Sequence, residues 1–96
     1  MYKDEYHPQI KKDLKKLHPI LKETIKTEYI QEILSAPQKG EMLSGDLKNI
    51  RSYHFVFNKQ EYRIAYVVDE ETETISVLMI AKRGEFYSLL KRRIKK

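Results

Sequence analysis

Four side chains with useful chemistry recur around one apolar stretch of this chain. Arg63 lies in Tyr62-Arg63-Ile64-Ala65-Tyr66, and Arg83 follows Lys82 just past the apolar run 74–81. Tyr87 comes four residues after Arg83, and His54 lies in Tyr53-His54-Phe55-Val56-Phe57. Arginine offers a permanent charge and a planar fork that matches phosphate oxygens. A nearby ring can stack on an unpaired base. Guanidinium groups beside an aromatic ring suit RNA as a substrate class. RNA carries its own nucleophile, the 2′-hydroxyl. Metal-free cleavage then needs a base for the 2′ proton, cations for the phosphorane charge, and an acid for the leaving 5′ oxygen. His54 fits the base or acid, because imidazole titrates near neutral pH. Arg63 and Arg83 fit charge stabilisation, each such contact being worth roughly 3 kcal/mol in a transition state. Arginine is a poor general acid, so proton donation by Arg83 requires a strongly perturbed setting.

Each residue also has a plainer reading. A strand histidine is commonly a surface or hydrogen-bonded residue. Arg63 has acids within cross-strand reach, Glu61 and Glu73. Tyr87 at a helix start can pack on the core. The basic run Lys91-Arg92-Arg93-Ile94-Lys95-Lys96 reads either as a frayed tail or as a polyanion contact. Arg51, Lys82, Lys91, Arg92 and Arg93 are the candidate RNA-binding cations. His7 and His18 both precede proline at helix starts and read as structural.

The elements that must position these groups follow from periodicity. Residues 2–6 read as an edge strand. Ile10, Leu14 and Leu17 form one apolar stripe after Pro8, with Lys11, Lys12, Lys15 and Lys16 opposite. After Pro19 the helical period resumes through Leu21, Ile25, Tyr29 or Ile30, and Ile33 with Leu34, to about Ser35. A helical hairpin over 8–35 is expected. From Ser52 the period changes to two, so Tyr53, Phe55 and Phe57 share one face and His54 and Val56 the other. Asn58-Lys59-Gln60 connects to a strand from Glu61 to Asp69. There Ile64, Tyr66 and Val68 oppose Arg63, Ala65 and Val67. Glu70-Glu71-Thr72 turns the chain into Thr74–Ala81, the most apolar and therefore the expected central strand. A last helix starts at Gly84 or Glu85. Helices and strands in separate blocks predict an α+β fold. It has a helical hairpin packed on an antiparallel sheet and a short C-terminal helix. One sheet face should stay partly open, with His54 and Arg63 on it.

Bulk properties agree with that scale. The 96 residues predict a single domain, 1–96, and 41% apolar content supports one modest core. The net charge of +5 is uneven. Residues 1–50 hold 9 basic and 8 acidic side chains, and residues 51–96 hold 10 and 6. The basic half is the strand half, which favours a polyanion or an acidic partner. The absence of cysteine excludes a disulfide scaffold and a thiolate zinc site. No signal-peptide or membrane-span pattern occurs, so no membrane association is expected and the cytoplasm is the expected location. No cofactor or metal site is expected.

Leu43-Ser44-Gly45-Asp46-Leu47, Tyr62-Arg63-Ile64-Ala65-Tyr66 and Ile80-Ala81-Lys82-Arg83-Gly84-Glu85-Phe86-Tyr87 together resemble the RelE/ParE superfamily of type II toxin–antitoxin toxins. Tyr6-His7-Pro8 and Lys12-Asp13-Leu14-Lys15-Lys16-Leu17 fit the same family's first strand and helix. The resemblance covers nearly the whole chain and rests on order and spacing. It implies a RelE-like fold and a toxin that cuts mRNA in the ribosomal A site, held inactive by a cognate antitoxin. It implies Arg63 as phosphate stabiliser, Arg83 as second catalytic arginine and Tyr87 as the stacking ring. RelE has lysines where this chain has His54 and Val56, so the base differs. The ParE branch instead poisons DNA gyrase without cutting RNA. Retention of Arg63, Arg83 and Tyr87 favours the ribonuclease branch. Gyrase inhibition, or a weakened toxin that only binds antitoxin, are the alternatives.

Overall fold

A two-residue turn sets the register of the sheet. Asn58 and Lys59 both have positive φ, 51° and 66°, which matches the right-handed twist of the flanking strands. It joins β3 (Arg51–Phe57) to β4 (Gln60–Asp69). The turn fixes Phe57 opposite Gln60, and counting back places His54 opposite Arg63. The computed structural model describes residues 1–95.

The remaining elements are β1 (Lys3–Tyr6), α1 (Ile10–Lys15), α2 (Pro19–Thr24), a π turn (Ile25–Tyr29) and α3 (Ile30–Ser35). After them come β2 (Glu41–Met42), β5 (Thr74–Lys82) and α4 (Phe86–Ile94), with 3₁₀ turns before β2, β3 and α4. The α+β architecture is present, with the strand order β1-β5-β4-β3-β2. Two details depart from expectation. β1 joins β5 in parallel, so the sheet is mixed rather than wholly antiparallel. β5 is an interior strand, but β4 takes the middle position. The middle strand is the one that needs both faces covered, and β4 has buried residues on both.

One face of the sheet carries the helical hairpin. Ile10, Leu21, Ile25, Ile30, Ile33 and Leu34 pack on Phe55, Ile64, Tyr66, Ile75 and Val77. Fully burying such a side chain contributes about 1.5–3 kcal/mol, so this layer is the main source of stability. The hairpin's turn is capped by His18. Its Nδ1 accepts from the Ile20 amide at 3.0 Å, and Pro19 occupies the first helical position. His7 similarly accepts from the Gln9 amide at 3.1 Å. Both histidines serve the backbone.

The other face is more covered than expected. Phe86 and Leu90 of α4 pack with Leu47 and Ile50 on Ala65, Met79 and Ala81. The two alanines are what let a helix lie close. The face therefore stays open only toward the β3–β4 turn, where His54 and Val56 are exposed. A bulge complicates β5. Ala65 faces Met79 while Tyr66 faces Val77, so Leu78 is the extra residue. Before it, Ile75 and Val77 meet the hairpin. After it, Ile80 does.

Candidate functional site

The open end of that second face is built around Arg63. Cross-strand partners in antiparallel pairs point to the same side, and Arg63 lies between His54 on β3 and Ala81 on β5. The side chain is only 15% exposed. Its Nη2 lies 3.3 Å from Glu61 Oε2, two residues back on the same strand face. Its Nη1 donates to Tyr87 Oη at 3.4 Å. The guanidinium carbon sits 6.0 Å and 5.9 Å from the ring centroids of Phe86 and Tyr87. Those two rings meet edge to face at 5.1 Å.

Arg63 thus occupies an aromatic seat with one acid at its side. Two buried side-chain polar atoms lack a hydrogen-bond partner among the described residues, Arg63 Nε and Ser52 Oγ. Ser52 faces Ala65, on the same side of the sheet as Arg63. A buried unpaired donor is costly.

Tyr87 is 44% exposed while its neighbour Phe86 is fully buried. Successive helical residues project about 100° apart, so one ring anchors α4 and the next is left over the site. Phe86 is the site residue that the sequence reading leaves out. Its signal is adjacency to Tyr87 at a helix start, where one of two aromatic neighbours must turn inward. Arg83 opens the 3₁₀ turn ahead of α4 and is exposed. It follows Ala81, the partner of Arg63, by two residues. No hydrogen bond or ion pair engages its side chain among the described residues. The loop Leu43–Leu47 borders the site with Tyr87 and Lys91, which lie one helical turn apart.

The candidate cations divide. Lys91 and Arg92 are exposed on α4. Arg51 is not on the site's face. It pairs with Tyr66, and its Nη1 donates to the Gly40 carbonyl at 2.7 Å, so it ties down the loop before β2. Lys82 pairs with Tyr62, a hairpin-face residue, and borders a cleft with Asp13, Lys16 and His18. Its side chain points away from Arg63. Arg93 is engaged elsewhere, bound to Asp13 and only 13% exposed. These three cations do not join the site, because strand parity and an ion pair place them otherwise. Lys96, the last residue of the basic run, lies outside the described residues. Among the described residues no group of three His, Asp or Glu side chains could hold a metal ion, and no helix is long and apolar enough to cross a membrane.

Residues 5–91 match the family described as ParE-like toxin of type II bacterial toxin–antitoxin system. The chain belongs to this family, within the RelE/ParE superfamily, and is a toxin of a type II toxin–antitoxin system. No curated protein matches it. Among solved structures, it is similar to the toxin in the RelBE2 toxin–antitoxin complex of Mycobacterium tuberculosis. Identity there is 23% and the TM-score 0.75, over 85% of this chain and 98% of that one. A free double-arginine mutant of Escherichia coli RelE gives 22%, 0.73, and 98% of both chains. The archaeal RelE–RelB complex of Pyrococcus horikoshii gives 22% and 0.60, over 86% and 96%. At this identity the likeness establishes a shared RelE fold.

Proposed function

We propose that this toxin is an endoribonuclease that cuts mRNA in the A site of the ribosome. The carrying observation is the seat of Arg63, a largely buried guanidinium packed against two touching rings, with Nη1 on the hydroxyl of the exposed Tyr87. In this reading Tyr87 stacks on a codon base and splays the strand, which brings the 2′-oxygen in line with the phosphorus. His54 takes the 2′ proton. The 2′-oxygen bonds to phosphorus, and the bond to the 5′-oxygen breaks. Products are a 2′,3′-cyclic phosphate and, once the departing 5′-oxygen has taken a proton from water, a 5′-hydroxyl. Arg63 neutralises the charge that grows on the phosphate oxygens, and exposed Arg83 adds a second cation at the leaving group. Lys91 and Arg92 contact the RNA backbone.

The cognate antitoxin is the natural inhibitor in this reading, as RelB-type partners accompany the toxins of the Mycobacterium and Pyrococcus complexes. A basic toxin surface suits an acidic, amphipathic antitoxin segment.

The test uses purified toxin with ribosomes programmed with a defined mRNA. New 5′ ends are mapped by primer extension, with Arg83→Ala and Arg63→Ala as controls. A cut in the A-site codon that needs both ribosomes and the arginines is expected. The ParE-like description of the matching family supports a second reading, binding of DNA gyrase without RNA cleavage. Growth arrest with intact mRNA and a DNA-damage response would select it.

A further inference from the structure

Asp13 and Arg93 are 80 residues apart in sequence and form a two-pronged ion pair. Arg93 Nη1 lies 2.6 Å from Asp13 Oδ2, and Nη2 lies 2.9 Å from Oδ1. The side chains are only 13% and 9% exposed. Two main-chain groups of β5 complete the arrangement. Arg93 Nη1 donates to the Leu78 carbonyl at 3.0 Å, and the Ile80 amide donates to Asp13 Oδ2 at 3.1 Å. β1 covers the outer edge of β5 only from Thr74 to Val77. Beyond Val77 the ion pair takes over the role of the missing strand. It joins α1, the bulged segment of β5 and α4 at one point.

That point bears on the site through α4. Phe86 and Leu90 are the helix's two fully buried apolar anchors, and they lie one turn apart. Such closely spaced anchors leave the helix free to pivot about its first turn. Arg93, near the far end, reaches sideways to α1 and removes that freedom. Tyr87 sits beside the pivot, with Oη against Arg63. A forked, charge-assisted contact fixes orientation as well as distance.

We propose that the Asp13–Arg93 pair is a clasp that sets the pose of α4. Both residues are then positioning residues that hold Tyr87 in register with Arg63 for RNA cleavage. The cleavage part rests on the ribonuclease reading above. The clasp itself does not.

Two measurements on the full chain separate these layers. In hydrogen exchange, Arg93→Met should speed exchange of the amides of α4 by about tenfold or more while β4 amides keep their protection, the mark of local opening. Equal protection of α4 in the variant would overturn the clasp. If Arg93→Met does not fold, Arg93→Lys and Asp13→Asn take its place. The first keeps the charge without the fork, and the second keeps an acceptor for the Ile80 amide. In ribosome-dependent cleavage, Arg93→Met should lower kcat in the wild-type background but add nothing to Tyr87→Ala. Losses that multiply in the double variant would overturn positioning through Tyr87. Absence of cleavage by the unaltered toxin would remove the ribonuclease reading, and the exchange result would still decide the clasp.

Discussion

Arg63 and Tyr87 touch across 24 residues of sequence, with Nη1 3.4 Å from Oη. The contact links the middle strand to the last helix and places a cation and a stacking surface side by side. If the ring is the working part, Tyr87→Phe should retain most cleavage. Tyr87→Ala should lose about 5- to 150-fold, the equivalent of ~1–3 kcal/mol for one base–aromatic stack. Single-turnover cleavage on programmed ribosomes measures both. Equal loss in the two variants would assign the role to the hydroxyl.

His54→Ala should leave the fold intact, because the side chain is exposed and makes no hydrogen bond among the described residues. Cleavage should fall by about 10²–10⁴-fold, the usual weight of a general acid or base. The pH–rate profile should also lose one limb. A variant that cuts at the wild-type rate with the same profile would remove His54 from the chemistry.

Val56 is 60% exposed and lies on the same face as His54, opposite Glu61. An apolar side chain there supplies no charge to a phosphate. Val56→Lys should therefore raise cleavage, and the gain should shrink as salt rises, since exposed charges are screened within about 8–10 Å. An unchanged rate at low salt would show that the substrate does not reach this end of the face.

Tyr66 holds the loop that leads into β2. Its hydroxyl donates to the Pro37 carbonyl at 2.5 Å and accepts from the Gly40 amide at 2.9 Å. A Cβ at Gly40 would overlap that hydroxyl. Tyr66→Phe should cost about 1–3 kcal/mol in urea unfolding, because two backbone groups lose their partner. Gly40→Ala should also destabilise the wild type, and by less in the Tyr66→Phe background, where the closest overlap, with the hydroxyl, is gone although the ring carbons at 2.9 Å remain. Additive losses would contradict this coupling.

Glu32 accepts from Lys39 Nζ at 2.8 Å and from the Tyr53 hydroxyl at 3.1 Å. The lysine first, and the tyrosine second, hold its carboxyl below the ordinary value of 4.5. A depressed carboxyl stabilises the fold fully above its unfolded pKa. That stabilisation disappears as pH falls through the lower, folded value. Glu32→Gln should therefore destabilise the protein near neutral pH and flatten the loss of stability below about pH 4.5. An acid limb of unchanged slope would show that other carboxylates govern it.

Much of this arrangement is legible in the sequence. Period-two alternation in β3 and β4 places His54 and Arg63 on one face and Phe55 and Ile64 on the other. Glu61 was within reach of Arg63 by the same count. The misplaced cations have separate causes. Arg51 shares parity with Tyr53 and Phe55, and that parity places it on the hairpin side. Lys82 follows the parity of Ile80, which is set by the bulge at Leu78. No glycine or proline marks that bulge, so it leaves no local trace. Arg93 looks like part of a solvated tail because its partner lies in α1, and no local pattern reports a contact over such a separation. The cover over the second face leaves little trace in the sequence because α4 is only nine residues long and carries three consecutive cations in its last turn. Its two buried anchors, Phe86 and Leu90, stand among exposed neighbours.

The parallel pairing of β1 with β5 has a consequence in time. Lys3 waits for Thr74 and Tyr6 for Val77, so the first strand to leave the ribosome finds its place only after most of the chain has followed. Contacts so distant in sequence close slowly. α4, which carries Tyr87 to Arg63, is made later still. A chain that has not yet reached α4 therefore carries Arg63 without the ring of Tyr87, and the two meet only in the finished fold.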